Sequence, residues 1–427
     1  MRSWIAIVAA ATSMGAFVPF MQHRASAVEA QARATSAPVG SAGLTAASKK
    51  ASETDRGAPK ASALPPLAGI EIDKLVVHDD EVTAPAAAGR TAHLSIDPNL
   101  QRAATKILRD YAFPEAAVVL LETGGARVLV WASHVERGRA RDLCVEATAP
   151  AASIFKIVTG AALVETAGLT PDVRQCYSGG ESRITPLDLV EDPKRDRWCA
   201  TLGEAMGRSL NTVFARLAVK NLTPAALAGM GGAFGFGDPL PFDVPVAASS
   251  LSIPEDKLGF ARTAAGFWNT TMSPLEAATI ANTVANQGEM IRPVIVESVA
   301  DATGNLYQAP NRTVIRRAVR PETAAALTSM METTVRGGTS YRAFHDGEGR
   351  AFLPNITIAG KTGTLTRAET QQFYTWFVGF APSRAPEVAL AVLVVNTPSW
   401  RAKANVVARE VLRAYFAAKG APGVTRP

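Results

Sequence analysis

Hydrophobic positions along this chain change their spacing several times, and each change marks a different kind of segment. The first apolar stretch, WIAIVAAATSMGAFVPFM, begins after Arg2 and is continuous. Two small-residue triplets follow, Ala25-Ser26-Ala27 and Val28-Glu29-Ala30, and both suit signal-peptidase cleavage. The stretch is also about the shortest that can cross a bilayer, so residues 1–30 read as a signal peptide or a membrane anchor. From 31 to 90 large apolar residues thin out among Ala, Ser, Pro and Gly. Such a segment cannot bury a core and reads as a flexible tether, with one short extended piece at IEIDKLVV.

Regular periodicity begins near residue 91. Asp97 can cap a helix with Pro98 at its first position, and Leu100, Ala103, Ala104, Ile107 and Leu108 recur at helical spacing. Next, AAVVLLETGGARVLVWAS places two apolar runs around a Gly-Gly turn, the pattern of a hairpin. Residues 145–345 carry mostly helical patterns broken by Gly and Pro. Among them, Ser273, Pro274 and Glu276 spell a capping box. Three strand patterns follow, NITIAGKTGTLT, FYTWFVGFAP and EVALAVLVVN, and the amphipathic segment ANVVAREVLRAYFAA closes the set. Two early strands and three late ones predict an α/β (α+β) domain over 91–420. Its centre is a five-stranded antiparallel sheet flanked by terminal helices, with an inserted all-helical subdomain.

Composition adds a few bounds. An apolar fraction of 47% supports a sizeable core. The net charge of +6 comes from scattered residues with no aromatic-basic interleaving, so a basic envelope protein fits better than a nucleic-acid binder. Three cysteines leave at least one unpaired. Cys176 and Cys199 flank a loop-like stretch that a disulfide would close, adding on the order of 3 kcal/mol, and Cys144 then reads as a buried small apolar residue. No cysteines or histidines stand at ligand spacing, so neither a zinc site nor another cofactor is expected.

The stretch IAGKTGTLT admits two chemistries. Gly360-Lys361-Thr362 ends like a phosphate loop, but that loop needs a glycine where Asn355 stands, a Gly-rich turn where ITIA runs, and a helix afterwards. All three are missing. The alternative is a strand lysine beside a nucleophile. Ser153 opens a helical segment with Lys156 three residues on, so the two side chains share a face. A serine needs a base to take its proton, and a lysine serves only when burial or a second cation leaves it neutral. Ser209 and Asn211 form a second polar pair, suited to relaying a proton and to orienting a lysine and an amide. Strand alternation puts Lys361 and Gly363 on one face and Thr362 and Thr364 on the other. Lys361 can hold a carboxylate and help keep Lys156 neutral, and Gly363 lets substrate approach the strand. Each pattern alone is commonplace. Their order, S-x-x-K, S-x-N and K-T-G, in a helix start, a helical region and a strand, is what the chemistry needs.

With those motifs, the chain resembles the penicillin-binding protein transpeptidases, the serine acyl-enzyme group that also holds the serine β-lactamases. LSIDPNLQ, SIFKIVTGAALVE, MSPLEAATIANTVANQG, RGGTSYRA and YTWFVGFAPSRAPEVALAV carry the similarity alongside the motifs. The stretch ahead of residue 91 leaves room for a tether rather than a glycosyltransferase domain, which points to a class B-like member. The resemblance implies that Ser153 attacks the penultimate D-alanine of a peptidoglycan stem peptide, with Lys156 as base and Ser209 as proton relay. Asn211 would hold Lys156 and the substrate amide, and Lys361, Thr362 and Thr364 the terminal carboxylate. Backbone N–H groups of Ser153 and Thr364 would form the oxyanion hole. Implied partners are stem peptides, β-lactam antibiotics and cell-wall synthesis complexes, at the periplasmic or outer face of the cytoplasmic membrane. A D,D-carboxypeptidase, a β-lactamase or a non-catalytic sensor of peptidoglycan or β-lactams would use the same residues.

Overall fold

In the computed structural model, which describes residues 64–367, 369–398 and 400–427, ordered structure begins well before the periodic part of the sequence. Residues 64–90 are folded and do not form a tether. Strands β1 (Val76–Val77), β2 (Val82–Ala86) and β3 (Arg90–Leu94) join the Val296–Asp301 and Gly304–Gln308 strands in one sheet. Val82 and Ala84, at alternate positions, are buried. Arg90 donates to the Pro65 carbonyl at 2.9 Å. Composition could not show this, because the partner of β3 lies far along the chain. The reading of residues 1–30 as signal or anchor, and of 31–63 as tether, lies outside the described residues.

Helix α1 (Pro98–Asp110) starts as its sequence dictates, with Asp97 Oδ1 accepting from the amides of Asn99 and Leu100. Strands β4 (Glu115–Glu122) and β5 (Val128–Val135) form the expected hairpin. The insert contributes helices α2 (Lys156–Glu165), α3 (Leu202–Arg208), α4 (Asn211–Asn221), α5 (Pro274–Ala285) and α6 (Pro321–Arg336). It also carries short ladders, such as Arg174–Tyr177 on Trp198–Thr201, so it is mainly rather than wholly helical. Strands β6 (Ala359–Arg367), β7 (Gln372–Ala381) and β8 (Val388–Asn396) complete an antiparallel sheet in the order β6-β7-β8-β4-β5. Helix α7 (Ala404–Ala418) follows.

Every residue of β8 is buried. Leu390, Val392 and Val394 join the core built on α1 and α7, while Ala391, Leu393 and Val395 join the core built on the insert. With both faces covered, this strand reads as an unbroken apolar run rather than an alternation. Ser273 caps α5 through the Glu276 amide, at 3.1 Å, but the reciprocal half of the capping box does not form. The Glu276 side chain turns inward instead, where burial pushes its carboxyl up to about 8.

Candidate active site

The edge strand β6 faces the start of α2, and the chemistry-bearing residues meet across that gap. Ser153 sits in the 3₁₀ turn Ala152–Phe155, which runs straight into α2 at Lys156. In a 3₁₀ turn side chains three apart eclipse, so the pair is held closer than on an ordinary helix. Lys156 Nζ donates to Ser153 Oγ at 2.8 Å, to Asn211 Oδ1 at 2.7 Å and to the Ala265 carbonyl at 2.5 Å. Its side chain is fully buried. Burial first, and then the charge of Lys361, hold its ammonium well below the ordinary lysine range. A neutral amine in this place keeps two N–H donors for Asn211 and Ala265. Its lone pair then faces the serine hydroxyl.

The Ser209–Asn211 pair lies at the joint between two helices. Ser209 ends α3 with φ +58°, and Asn211 begins α4. The Asn211 amide donates to the carbonyls of Gly180 and Glu181 at 3.0 and 2.7 Å, which leaves its oxygen for Lys156. Lys361 Nζ donates to Ser209 Oγ at 2.8 Å and to the Thr362 carbonyl at 2.7 Å. Lys361 is also fully buried, and burial brings it down to about 7.

A cleft of about 590 Å³ opens over this set, lined by Ser153, Ser209, Asn211, Thr362, Gly363 and Thr364, with Glu181 and Trp268 on its walls. Lys361 does not line it, so its charge reaches the cleft through Ser209 and the strand backbone. Gly363 lines the cleft, and its missing side chain serves the packing behind it as well. A Cβ there would stand 3.3 Å from both Ala152 Cβ and Ile154 Cγ1, so the glycine lets the strand close on the nucleophile's own turn. Thr362 Oγ1 is hydrogen bonded to Thr339 Oγ1 at 2.6 Å, whereas Thr364 is exposed.

Cys176 and Cys199 stand opposite each other in their ladder and are bonded. Cys144 is buried and free. Among the described residues no cluster of His, Cys, Asp or Glu could hold a metal.

Several contributors carried no sequence signal. The Ala265 carbonyl acts through its backbone, and only folding brings it to Lys156. Gly266 follows it with φ +82°, and a Cβ there would lie 2.4 Å from the Ala152 carbonyl. Trp376 Nε1 donates to the Pro150 carbonyl at 2.9 Å and so ties β7 to the entry of the nucleophile turn. The Gly179-Gly180 pair, both with positive φ, was the one visible hint that a tight turn approaches this place.

A serine hydroxyl against a buried, charge-depressed lysine, with a second lysine–serine pair across an open cleft, suits acyl transfer through a serine ester. The comparisons agree. Residues 116–417 match the penicillin binding protein transpeptidase domain, and the chain belongs to that family. It is 29% identical over 350 residues to the peptidoglycan D,D-transpeptidase PbpA of Mycobacterium tuberculosis, covering 72% of this chain and 68% of that one. The crystal structure of that organism's PBPA superposes with a TM-score of 0.64 at 26% identity, over 77% of this chain and 83% of the other. An imipenem acyl-enzyme complex of the same protein gives 0.64 at 27% identity, over 77% and 80%.

Proposed function

We propose that this protein is a peptidoglycan D,D-transpeptidase that works through an ester on Ser153 and is acylated there by β-lactams. The observation that carries the reading is the cleft shared by Ser153, Ser209 and Asn211, beneath which buried Lys156 joins Ser153 to Asn211 and buried Lys361 holds Ser209. Neutral Lys156 takes the Ser153 proton as Oγ adds to the penultimate D-alanine carbonyl. The Ser153 amide is the second residue of a helical turn and has no partner within it, so with the Thr364 amide it is placed to receive the oxyanion. The C–N bond then breaks, Ser209 passes a proton to the departing D-alanine amine, and the amine of a second stem peptide displaces the ester. Thr362 and Thr364 offer hydroxyls to the terminal carboxylate, and Lys361 supplies positive charge from behind Ser209. In a β-lactam the ring amide takes the place of the scissile bond.

The N-terminal apolar run supports export, and a disulfide fits an oxidising compartment. We place the enzyme at the periplasmic or outer face of the cytoplasmic membrane, beside cell-wall synthesis complexes. The test is labelling of the purified protein with a fluorescent penicillin, next to Ser153→Ala. A long-lived adduct that requires Ser153 is expected, and an unlabelled unmutated protein sinks the reading. Rapid loss of label would show a β-lactamase. Release of D-alanine from a stem peptide, with no cross-link to an added acceptor, would show a carboxypeptidase.

A further inference from the structure

Asn211 is held in place by the carbonyls of Gly180 and Glu181, in a segment closed at its base by the Cys176–Cys199 disulfide and tied at the Ile184 carbonyl by Arg262. Residues 178–197 link the Arg174–Tyr177 and Trp198–Thr201 strands, and they contribute Glu181 and Ser182 to the cleft wall. The segment lies along α4, and one face of that helix meets it at regular intervals. Thr212 Oγ1 donates to the Gly179 carbonyl at 2.9 Å. A Cβ on Gly180, at φ +79°, would lie 1.8 Å from the same hydroxyl, so the approach is possible only for glycine. One turn on, Arg216 is buried in spite of its charge. Its Nε donates to the Asp188 carbonyl at 2.7 Å, Nη1 to the Cys176 carbonyl at 2.8 Å and to Asp196 Oδ2 at 2.5 Å. Nη2 donates to the Val190 carbonyl at 2.9 Å and to Asp196 Oδ1 at 3.2 Å. A guanidinium has five N–H donors, and each has found an acceptor, all of them between 176 and 196.

We propose that Arg216 is a positioning residue for this site: it gathers the 176–196 segment onto α4 and so fixes the Gly180 and Glu181 carbonyls that orient Asn211 against Lys156. The inference rests on the transpeptidase reading for its functional consequence. Cut loose, the segment would release the Asn211 amide and admit water to Lys156. The groups around that ammonium are Asn211 and the Phe214 ring from α4, the Ala265 carbonyl, Ser153, and Lys361 from the β6 side. Glu181 carries charge on the cleft wall. Hydration of Lys156 would lift its pKa towards the ordinary lysine value, so that less of the base is neutral near pH 7.

The test compares Arg216→Lys and Asp196→Asn with the unmutated protein. A lysine has only three donors and cannot serve five acceptors, while the asparagine keeps the shape of Asp196 without its charge. Acylation by a fluorescent penicillin is followed against pH and normalised to the sites finally labelled. Amide hydrogen exchange is read over 176–197. In Arg216→Lys we expect acylation near neutral pH to fall roughly tenfold, its half-maximal pH to move upward, and the rate to recover in alkaline solution. Exchange should quicken in the segment while the central sheet stays protected. Asp196→Asn should shift the same quantities in the same direction by less. A lower melting temperature with an unchanged normalised rate and half-maximal pH would make Arg216 merely structural and overturn the proposal. Should the unmutated protein form no adduct, the transpeptidase reading fails on its own, and unchanged exchange in Arg216→Lys would still refute the positioning role of Arg216.

Discussion

Lys361 is buried as an amine whose charge the fold disfavours, and that sets a pH dependence of stability that Lys361→Met should abolish. Its ordinary value is 10.5 and burial brings it to about 7. Between those values the unfolded chain binds a proton that the folded protein does not. Stability therefore rises with pH across this window and is lost as pH falls towards 7. Linkage over a shift of this size gives a change of roughly 3 kcal/mol between pH 7 and 9.5 from this group alone. Methionine fills a similar volume and carries no proton. It leaves Ser209 Oγ and the Thr362 carbonyl without their donor, at a cost of about 1–3 kcal/mol that does not depend on pH. The informative quantity is thus the difference between the two proteins. Urea unfolding at pH 7 and 9.5 should find the unmutated protein's advantage growing by those roughly 3 kcal/mol. The same substitution removes the charge that depresses Lys156, so the half-maximal pH of acylation should move up. A stability difference constant across pH, or an acylation midpoint moving down, would refute the account of a Lys361 depressed by burial whose charge in turn depresses Lys156.

Three other outcomes are expected. Gly266→Ala places a Cβ at φ +82° against the Ala152 carbonyl, 2.4 Å away. It should destabilise the fold by about 3 kcal/mol and slow acylation in proportion to the displaced Ser153, as read by denaturation and penicillin labelling. Trp376→Phe keeps most of the buried ring but leaves the Pro150 carbonyl unpaired. A loss of about 1–3 kcal/mol is expected, again with slower labelling, because that carbonyl precedes the nucleophile turn. A protein beginning at residue 90 loses β1 and β2, and with them the burial of Ile72 and Val82. Its midpoint in urea should fall by the equivalent of roughly 3–6 kcal/mol relative to one beginning at 64, whereas an unchanged midpoint would restore the tether.

The amino-acid sequence by itself determined what repeats locally or depends on residue type. Helix α1 announces itself through Asp97-Pro98 and an apolar stripe, and the central strands through runs too apolar to face water. Ser153-x-x-Lys156, Ser209-x-Asn211 and Lys361-Thr362-Gly363 could be recognised because their spacing, order and local context match a chemistry. Tertiary structure alone decided everything that depends on atoms distant in sequence or on backbone carbonyls that any residue could supply. It turned Glu276 inward and left the capping box half made. It folded 64–90 by giving β3 a partner strand near residue 300. It also brought the Ala265 carbonyl to Lys156 and the segment around Gly180 to Asn211. Above all it set the protonation of the two lysines, because a side chain's pKa is fixed by the water it loses and the charges it meets. Neither quantity is written in the spacing of its neighbours along the chain.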